Sequence, residues 1–410
     1  YPPPRLLAMN RDCDVLIVGA GPVGAAFALA LARGPAGAEL AITLVESQPP
    51  AALADTAMLD RRALALNERS RRLLDRIGAW PEALARRACP YRSMAVWDRA
   101  STGHVSFDCA EIHQPRLGHI VAQPALIAAL GEAVRAQPNI RFLCPQTLTR
   151  IERLPGGGCA AELNHERIRA PLLVAADGPR SPLREHFGFT ARRWDPGQLA
   201  LVAVLRTERA HGHCARQWFA PAGPLAFLPL HDEDGDTRWV AIVWSQEQAV
   251  AERLHALPDD ALCRGLEIAS EHALGALALH GERALVPLGQ HHADNYVMPG
   301  IALLGDAAHA IHPLAGQGVN LGLADAEVLA EELARARQRG LGVADAGALA
   351  RYQRRRRPEN LAMLAAMRGF KTLFGREDLP SALVRAAGMQ WFDRVDPLKR
   401  LVMRAAAGAA

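Results

Sequence analysis

The run "DVLIVGAGPVGAAFALALA", residues 14–32, does most to limit what this chain can fold into. Asp14 to Val18 read as a buried β-branched strand, and Pro22 to Ala32 as an alanine-rich helix without charge. Between them Gly19, Gly21 and Gly24 form a G-x-G-x-x-G. The pattern asks a separate service of each glycine: a tight turn, close approach of backbone to a diphosphate, and close packing of helix on strand. A helix that starts there offers unpaired N–H groups and the positive end of its dipole to phosphates. A second strand, "AITLVE", ends in Glu46, at the distance where such units place the carboxylate that holds a ribose. Glu46 would also repel a 2′-phosphate. These residues predict a dinucleotide site and leave FAD and NAD(H) both open.

Length and composition narrow the class. The 410 residues suffice for about two or three domains. Half of them are apolar and 22% are charged, a globular balance. A net charge of +4, from 47 basic and 43 acidic residues, argues against nucleic acid as a partner. The seven cysteines are scattered and never form a C-x-x-C pair. That suits a reducing compartment and predicts neither a disulfide framework nor a metal site. The opening "YPPPRLLAMN" lacks the apolar segment of a signal peptide. Val15 to Ala32 is uncharged over the length of a bilayer span, but the Gly-Pro punctuation in its first half favours a strand and a helix. The expectation is a cytoplasmic protein without a spanning helix.

Along the chain, "PALIAALGEAVRAQP" reads as an amphipathic helix, "MAVWDRASTGHVSFD" as a hairpin, and "IRFLCP" and "APLLVAAD" as buried strands of the first sheet. From Phe189 to Pro287 the texture changes to strand-like runs such as "LALVAVLRTE", "ARQWFAPAGPLAFLPL" and "TRWVAIVWS". They read as an antiparallel sheet inserted into the first unit. The expected fold class is α/β: a discontinuous Rossmann-like FAD- or NAD-binding domain over 10–75, 112–185 and 293–345, a substrate domain over 76–111 and 186–292, and a C-terminal helical region over 346–410. Trp97, Trp218, Trp239 and Trp244 are expected in the core, and Arg354 to Arg357 on a solvated helix face. A second G-x-G-x-x-A, starting at Gly156, has no strand before it and reads as a loop between strands.

Two more strand ends bear on the choice of dinucleotide. "LLVAADGPRSPLR" puts Asp177 and Gly178 just after a buried strand, with Ser181 and Arg184 following. "ALLGDAAHAIHP" puts Gly305 and Asp306 at the end of another, where a carboxylate can accept hydrogen bonds from the hydroxyls of a sugar alcohol. "PLAGQGVNLG" then enters a helix, and Gly316 and Gly318 let backbone approach something flat. The N–H groups of that turn and the helix dipole stabilise negative charge, as a reduced flavin carries and NAD does not require.

This set of motifs resembles the flavin-dependent aromatic hydroxylases typified by para-hydroxybenzoate hydroxylase. More narrowly, "GDAAHAIHPLAGQGVNLGLAD" is similar to the signature of the ubiquinone-biosynthesis hydroxylases, and so are "LGHIV" and "RYQRRRRPENLAMLAAMRGFKTLF". The resemblance spans roughly Asp12 to Leu401. It implies one tightly bound FAD, with Gly19, Gly21 and Gly24 at its diphosphate and Glu46 at the adenosine ribose. Arg62 of "RRALAL" and Gln123 of "IVAQPAL" match flavin-contacting positions, although Ala122 stands where the ubiquinone group carries a carboxylate. Asp177 and Gly178 belong to the DG motif, and Gly305 and Asp306 to the GD motif at the ribityl chain. The backbone of Gly316, Gly318, Val319 and Asn320 lies against the isoalloxazine.

The catalytic candidates are His312 and Pro313; His309 and His312 flank the flavin edge, where an imidazole can either tune a phenol's proton or serve as a hydrogen-bonded structural histidine. The implied activity is a monooxygenase acting through a flavin C4a-hydroperoxide, with molecular oxygen and an external electron donor such as NAD(P)H. The implied substrate is a polyprenylated phenol of ubiquinone biosynthesis, and the implied partners are a biosynthetic complex and a membrane surface on its inner face. A hydroxylase of a soluble phenol and an FAD-dependent reductase or dehydrogenase of the same fold are the competing readings. The last 32 residues, "LPSALVRAAGMQWFDRVDPLKRLVMRAAAGAA", divide at Pro397 into two short helices. Their apolar residues alternate with Arg385, Arg394, Lys399, Arg400 and Arg404, a pattern suited to a membrane interface.

Overall fold

The computed structural model describes residues 13–35, 37–49, 59–164, 166–195, 197–311, 318–375 and 378–408. A six-stranded sheet runs in the order Val297–Met298, Ile301–Leu303, Leu172–Ala175, Val15–Val18, Ile42–Val45, Ile140–Leu143. Its strands are parallel except at the first pair. The continuous apolar runs explain this, since such strands must be covered on both faces. Val15, Leu16, Ile17 and Leu172 are fully buried. The helix Pro22–Arg33 packs on the helices Gln123–Arg135 and Gly318–Gln338.

The register of this sheet places the site. Val18 lies opposite Ala175 on one side and Val45 on the other, and Ala175 lies opposite Leu303. Four strand ends are therefore flush, and the residues that follow them share one edge. Gly19, Asp177, Glu46 and Asp306, which span 288 positions of sequence, stand side by side at the carboxyl ends where open α/β sheets hold ligands.

A seven-stranded sheet runs in the order Leu277–Pro287, Gln198–Thr207, Trp239–Glu247, Leu225–Leu230, Cys214–Phe219, Ser93–Asp98, His104–Asp108. The last two strands are the expected hairpin. The sheet is antiparallel except where Cys214–Phe219 meets Ser93–Asp98 in parallel. Alternation gives it two faces. Trp218, Phe227 and Ile242 pack in one cluster with Leu262 and Leu266 of the helix Asp259–Ala269. Leu228 and Ala241 pack with Ala65 and Ile120 of a smaller sheet, which also contains Cys89–Tyr91. The four tryptophans join these cores, Trp218 and Trp239 buried and Trp97 and Trp244 half-buried. The turn at Gly156–Gly158 is the expected loop between strands, but a strand does precede it: it joins the antiparallel strands Leu148–Arg153 and Cys159–Leu163.

The helices Ala346–Phe374, Leu379–Arg394 and Asp396–Ala407 close the chain, and here the structure corrects three charge assignments. Arg356 is not on a solvated face: it is 1% exposed, and its Nε donates to Asp325 Oδ1 at 2.7 Å. Arg385 is also buried, with its Nε 2.8 Å from Asp98 Oδ2. Lys399 is buried between Glu111 and Asp393, at 3.0 and 3.1 Å. Arg385 and Lys399 therefore face protein carboxylates and do not serve the interfacial pattern expected of them. Leu383, Trp391, Leu398, Leu401 and Val402 do remain exposed. No helix among the described residues is long and apolar enough to cross a membrane.

Asp325 centres a buried network between the two long helices. It receives His309 Nε2 at 2.5 Å, Arg356 Nε, and Asn360 Nδ2 at 3.2 Å. Burial alone would raise its pKa; the charges and hydrogen bonds of His309 and Arg356 outweigh burial and hold it at about 2. Removing one partner of a buried pair costs about 3–5 kcal/mol because the other charge is left uncompensated. Asp325→Asn should therefore lower the thermal midpoint sharply. Because the folded pKa lies below its ordinary 3.8, the stabilisation is present above that value and is lost as pH falls from 3.8 toward 2. Thermal melts of both proteins across that range check this, and parallel curves would contradict it.

Candidate functional site

The turn after the first strand is held together by contacts that leave no room for side chains. Gly19 has φ +102°, and a Cβ on it would lie 2.3 Å from the Ala176 carbonyl oxygen. A Cβ on Gly24 would lie 2.0 Å from the Gly19 carbonyl oxygen. Gly21 differs, since a Cβ there would meet nothing within 4 Å. The first two glycines thus seat the helix on the strand tips, and the third faces open space at the N-terminus of Pro22–Arg33.

That open space borders two cavities, of about 330 and 350 Å³, both of which Gly21 lines. The first is walled by Leu44, Phe142, Ile127 and Val134, with Glu46 and Arg62 among its polar residues. Glu46 is fixed by backbone: Oε2 accepts from the Ala20 N–H at 2.8 Å and Oε1 from the Gln48 N–H at 2.9 Å. The second contains Gln123, Gly178, Asp306, Gly318 and Val319, and its apolar wall includes Ala226, Leu228 and Val243 of the seven-stranded sheet. Arg62 and Gln123 stand at the seam, where the Gln123 N–H donates to the Arg62 carbonyl at 2.7 Å.

Asp306 is open to the groove, yet the protein around it desolvates its carboxyl and raises its pKa, against a lowering by His309. A hydroxyl donor in the groove can reach this exposed carboxylate. Asp177 plays a different part. Its Oδ2 accepts from the Leu183 N–H at 3.1 Å and so fixes the turn that follows, and burial raises its pKa too. Gly178 has φ +84° and borders the groove. Gly305, at φ +58°, packs against Val23. Gly318 and Val319 open the helix Gly318–Gln338, so the positive end of its dipole lies at the second cavity.

Two side chains near the groove have structural tasks. The Asn320 side chain is buried away from the groove lining: Oδ1 accepts from the Asn67 N–H at 3.0 Å and Ser70 Oγ at 2.7 Å, and Nδ2 donates to the Ala65 carbonyl at 2.8 Å. It anchors the helix start. His309 is buried in the Asp325 network, which gives it a structural task. His312, Pro313 and Gly316 lie outside the described residues.

Sequence reasoning missed the clamp that binds the two acidic turns together. Arg184 is 1% exposed and donates to the Pro179 carbonyl at 3.0 Å and the Ala307 carbonyl at 2.9 Å. His291 Nε2 lies 2.9 Å from the Asp306 carbonyl oxygen. Burial, and then the charge of Arg184, lower the His291 pKa to about 4, so this imidazole is neutral near pH 7. Arg184 follows the DG motif at a visible spacing, but nothing local to His291 marks it. Among the described residues, no group of three or more His, Cys, Asp or Glu side chains could hold a metal.

Two chambers joined at a helix N-terminus, with a ribose-type carboxylate in one and a carboxylate plus a second helix start in the other, fit the halves of FAD. The fold and groove define a flavin-binding protein with a Rossmann-like unit. The chain belongs to the FAD binding domain family, which matches residues 12–366. It is 37% identical over 399 residues to the ubiquinone hydroxylase UbiL of Rhodospirillum rubrum, covering 97% of this chain and 90% of that one. It is 35% identical over 407 residues to 3-demethoxyubiquinol 3-hydroxylase of Escherichia coli, covering 97% and 99%. Among solved structures, p-nitrophenol 4-monooxygenase PnpA from Pseudomonas putida shares the fold, with a TM-score of 0.75, 21% identity, and 96% and 97% coverage. The cofactor is FAD, and the chain is an FAD-dependent monooxygenase.

Substitutions should separate the roles. Gly24→Ala meets backbone and should destabilise the whole protein. Gly21→Ala should fold normally and lose flavin, because its methyl would enter the space assigned to the diphosphate. Asp306→Ala should fold and bind FAD about 10–100-fold more weakly, the worth of one charge-assisted hydrogen bond. Thermal melts and flavin absorbance of the purified variants check this. Full flavin content in Gly21→Ala and Asp306→Ala would contradict the assignment.

Proposed function

We propose that this enzyme hydroxylates the aromatic ring of a polyprenylphenol intermediate in ubiquinone biosynthesis. The observation that carries the reading is the apolar wall of the second cavity, Ala226, Leu228 and Val243, facing the helix start at Gly318 and Val319. The family membership and the names of the two relatives point the same way. A hydroxylase of a soluble phenolic acid calls for a cation near its substrate, and no arginine or lysine is among the described residues that line this cavity.

Bound FAD supplies redox chemistry that amino-acid side chains lack, accepting electrons from a donor and passing oxygen to an electron-rich ring. The chain supplies position and environment. The first helix N-terminus and the open face of Gly21 would hold the diphosphate, Glu46 would hold the ribose, and Asp306 would accept from ribityl hydroxyls. The start of Gly318–Gln338 stabilises negative charge at the ring edge. Ala226, Leu228 and Val243 would exclude water from the chamber that takes the ring.

Reconstitution with a short-chain polyprenylphenol, oxygen and a reductant should couple oxygen uptake to a product heavier by one oxygen atom. Cells lacking the gene should accumulate the unhydroxylated prenylphenol. Reduction of the prenyl double bonds without oxygen uptake would instead favour a reductase and overturn the proposal.

A further inference from the structure

A third cavity, of about 460 Å³, lies between the seven-stranded sheet and the C-terminal helices. It is far more apolar than either chamber of the flavin groove. Its polar side chains are Gln217 and Arg385, and the Arg385 charge is matched by Asp98 at 2.8 Å. Residues on its helical side include Phe370, Leu373 and Val402, which are 45%, 42% and 43% exposed and so mark a mouth at the surface. Apolar area of this kind, open to solvent and rimmed by aliphatic and aromatic groups, is what a hydrocarbon ligand would cover.

The sheet register ties this cavity to the flavin groove. Val105 lies opposite Val96, Val96 opposite Gln217, Gln217 opposite Ala226, and Ala226 opposite Val243. Paired residues project to the same face, so these five form one row across five adjacent strands. Val105, Val96 and Gln217 line the apolar cavity, and Ala226 and Val243 line the flavin chamber. The step between the two is one strand spacing, about 4.8 Å.

We infer that this cavity takes the polyisoprenoid chain of the substrate, with the phenol ring lying at the Ala226–Val243 end of the row and the distal chain leaving through the mouth. This rests on the prenylphenol reading of the active site. It assigns the C-terminal helices a task in substrate binding, that of roofing a hydrocarbon channel.

The test uses the purified full-length flavoprotein and geranylgeraniol, a prenyl alcohol with no phenol ring, in equilibrium dialysis. Gly388 lines the cavity, and a Cβ on it would meet nothing within 4 Å, so Gly388→Phe can fill the space without a backbone clash. Val402→Glu places a charge at the exposed mouth and serves as a second variant less prone to misfold. Flavin content and circular dichroism report whether each variant is folded. Wild type should bind geranylgeraniol, and both variants should bind it about tenfold or more weakly, the scale of overpacking a filled site. The inference is overturned if wild type takes up no geranylgeraniol, or if both folded variants bind it like wild type. A tight dimer through these helices that takes up none would equally overturn it. Uptake that both variants abolish, in an enzyme that hydroxylates no prenylphenol, supports the chain site and removes the substrate reading.

Discussion

The close contact of the first helix with the strand tips is the constraint on which the rest depends. Gly24 sits under the Gly19 carbonyl, and Gly19 sits against the Ala176 carbonyl of the neighbouring strand, with no space for a β-carbon at either. Three pieces of backbone are thereby locked together at the carboxyl edge of the sheet. The helix N-terminus arrives close enough to the strand ends to share a groove with Glu46 and Asp306. A looser turn would withdraw the helix N-terminus from the groove and separate the two chambers that Gly21 lines.

The second half of the site is set by buried polar contacts. Arg184 joins the turn after Asp177 to the turn after Asp306, so two loops that start from adjacent strands move as one. Asn320 fixes the start of Gly318–Gln338 to the strand Ala63–Asn67, and Asp325, one helical turn further on, ties that helix to Arg356 and His309. Each of these groups is charged or polar and nearly fully enclosed. Each has its partners within hydrogen-bond distance, which is the condition under which such burial is tolerated.

The motifs assigned to FAD were legible because each is local. A glycine that must be a glycine, and a carboxylate at a strand end, are properties of a few adjacent residues, so Gly19, Gly21, Gly24, Glu46 and Asp306 could be read without knowing the sheet order. The strand order then brought them to one edge. What was not legible depends on long-range register or on one helical angle. Alternation in "PLAFLPL" shows that Ala226 and Leu228 share a face, but not that this face looks onto the flavin groove. Of the four consecutive arginines in "RYQRRRRP" one turns inward to Asp325, a carboxylate 31 positions away, and the run itself does not say which. Arg385 and Lys399 are similar: among exposed apolar residues they look like membrane-facing cations, and their partners Asp98 and Glu111 lie nearly 300 residues earlier.

The central claim is that one groove, continuous through Gly21, holds the whole cofactor in a fixed direction. A crystal structure of the protein with FAD bound tests it most directly. The diphosphate should lie against Gly21 at the start of Pro22–Arg33, the adenine beside Leu44 and Phe142, and the isoalloxazine between Gly318–Val319 and the Ala226–Val243 wall. An isoalloxazine in the Leu44 and Phe142 chamber, or FAD seated in the apolar cavity under the C-terminal helices, would contradict the account.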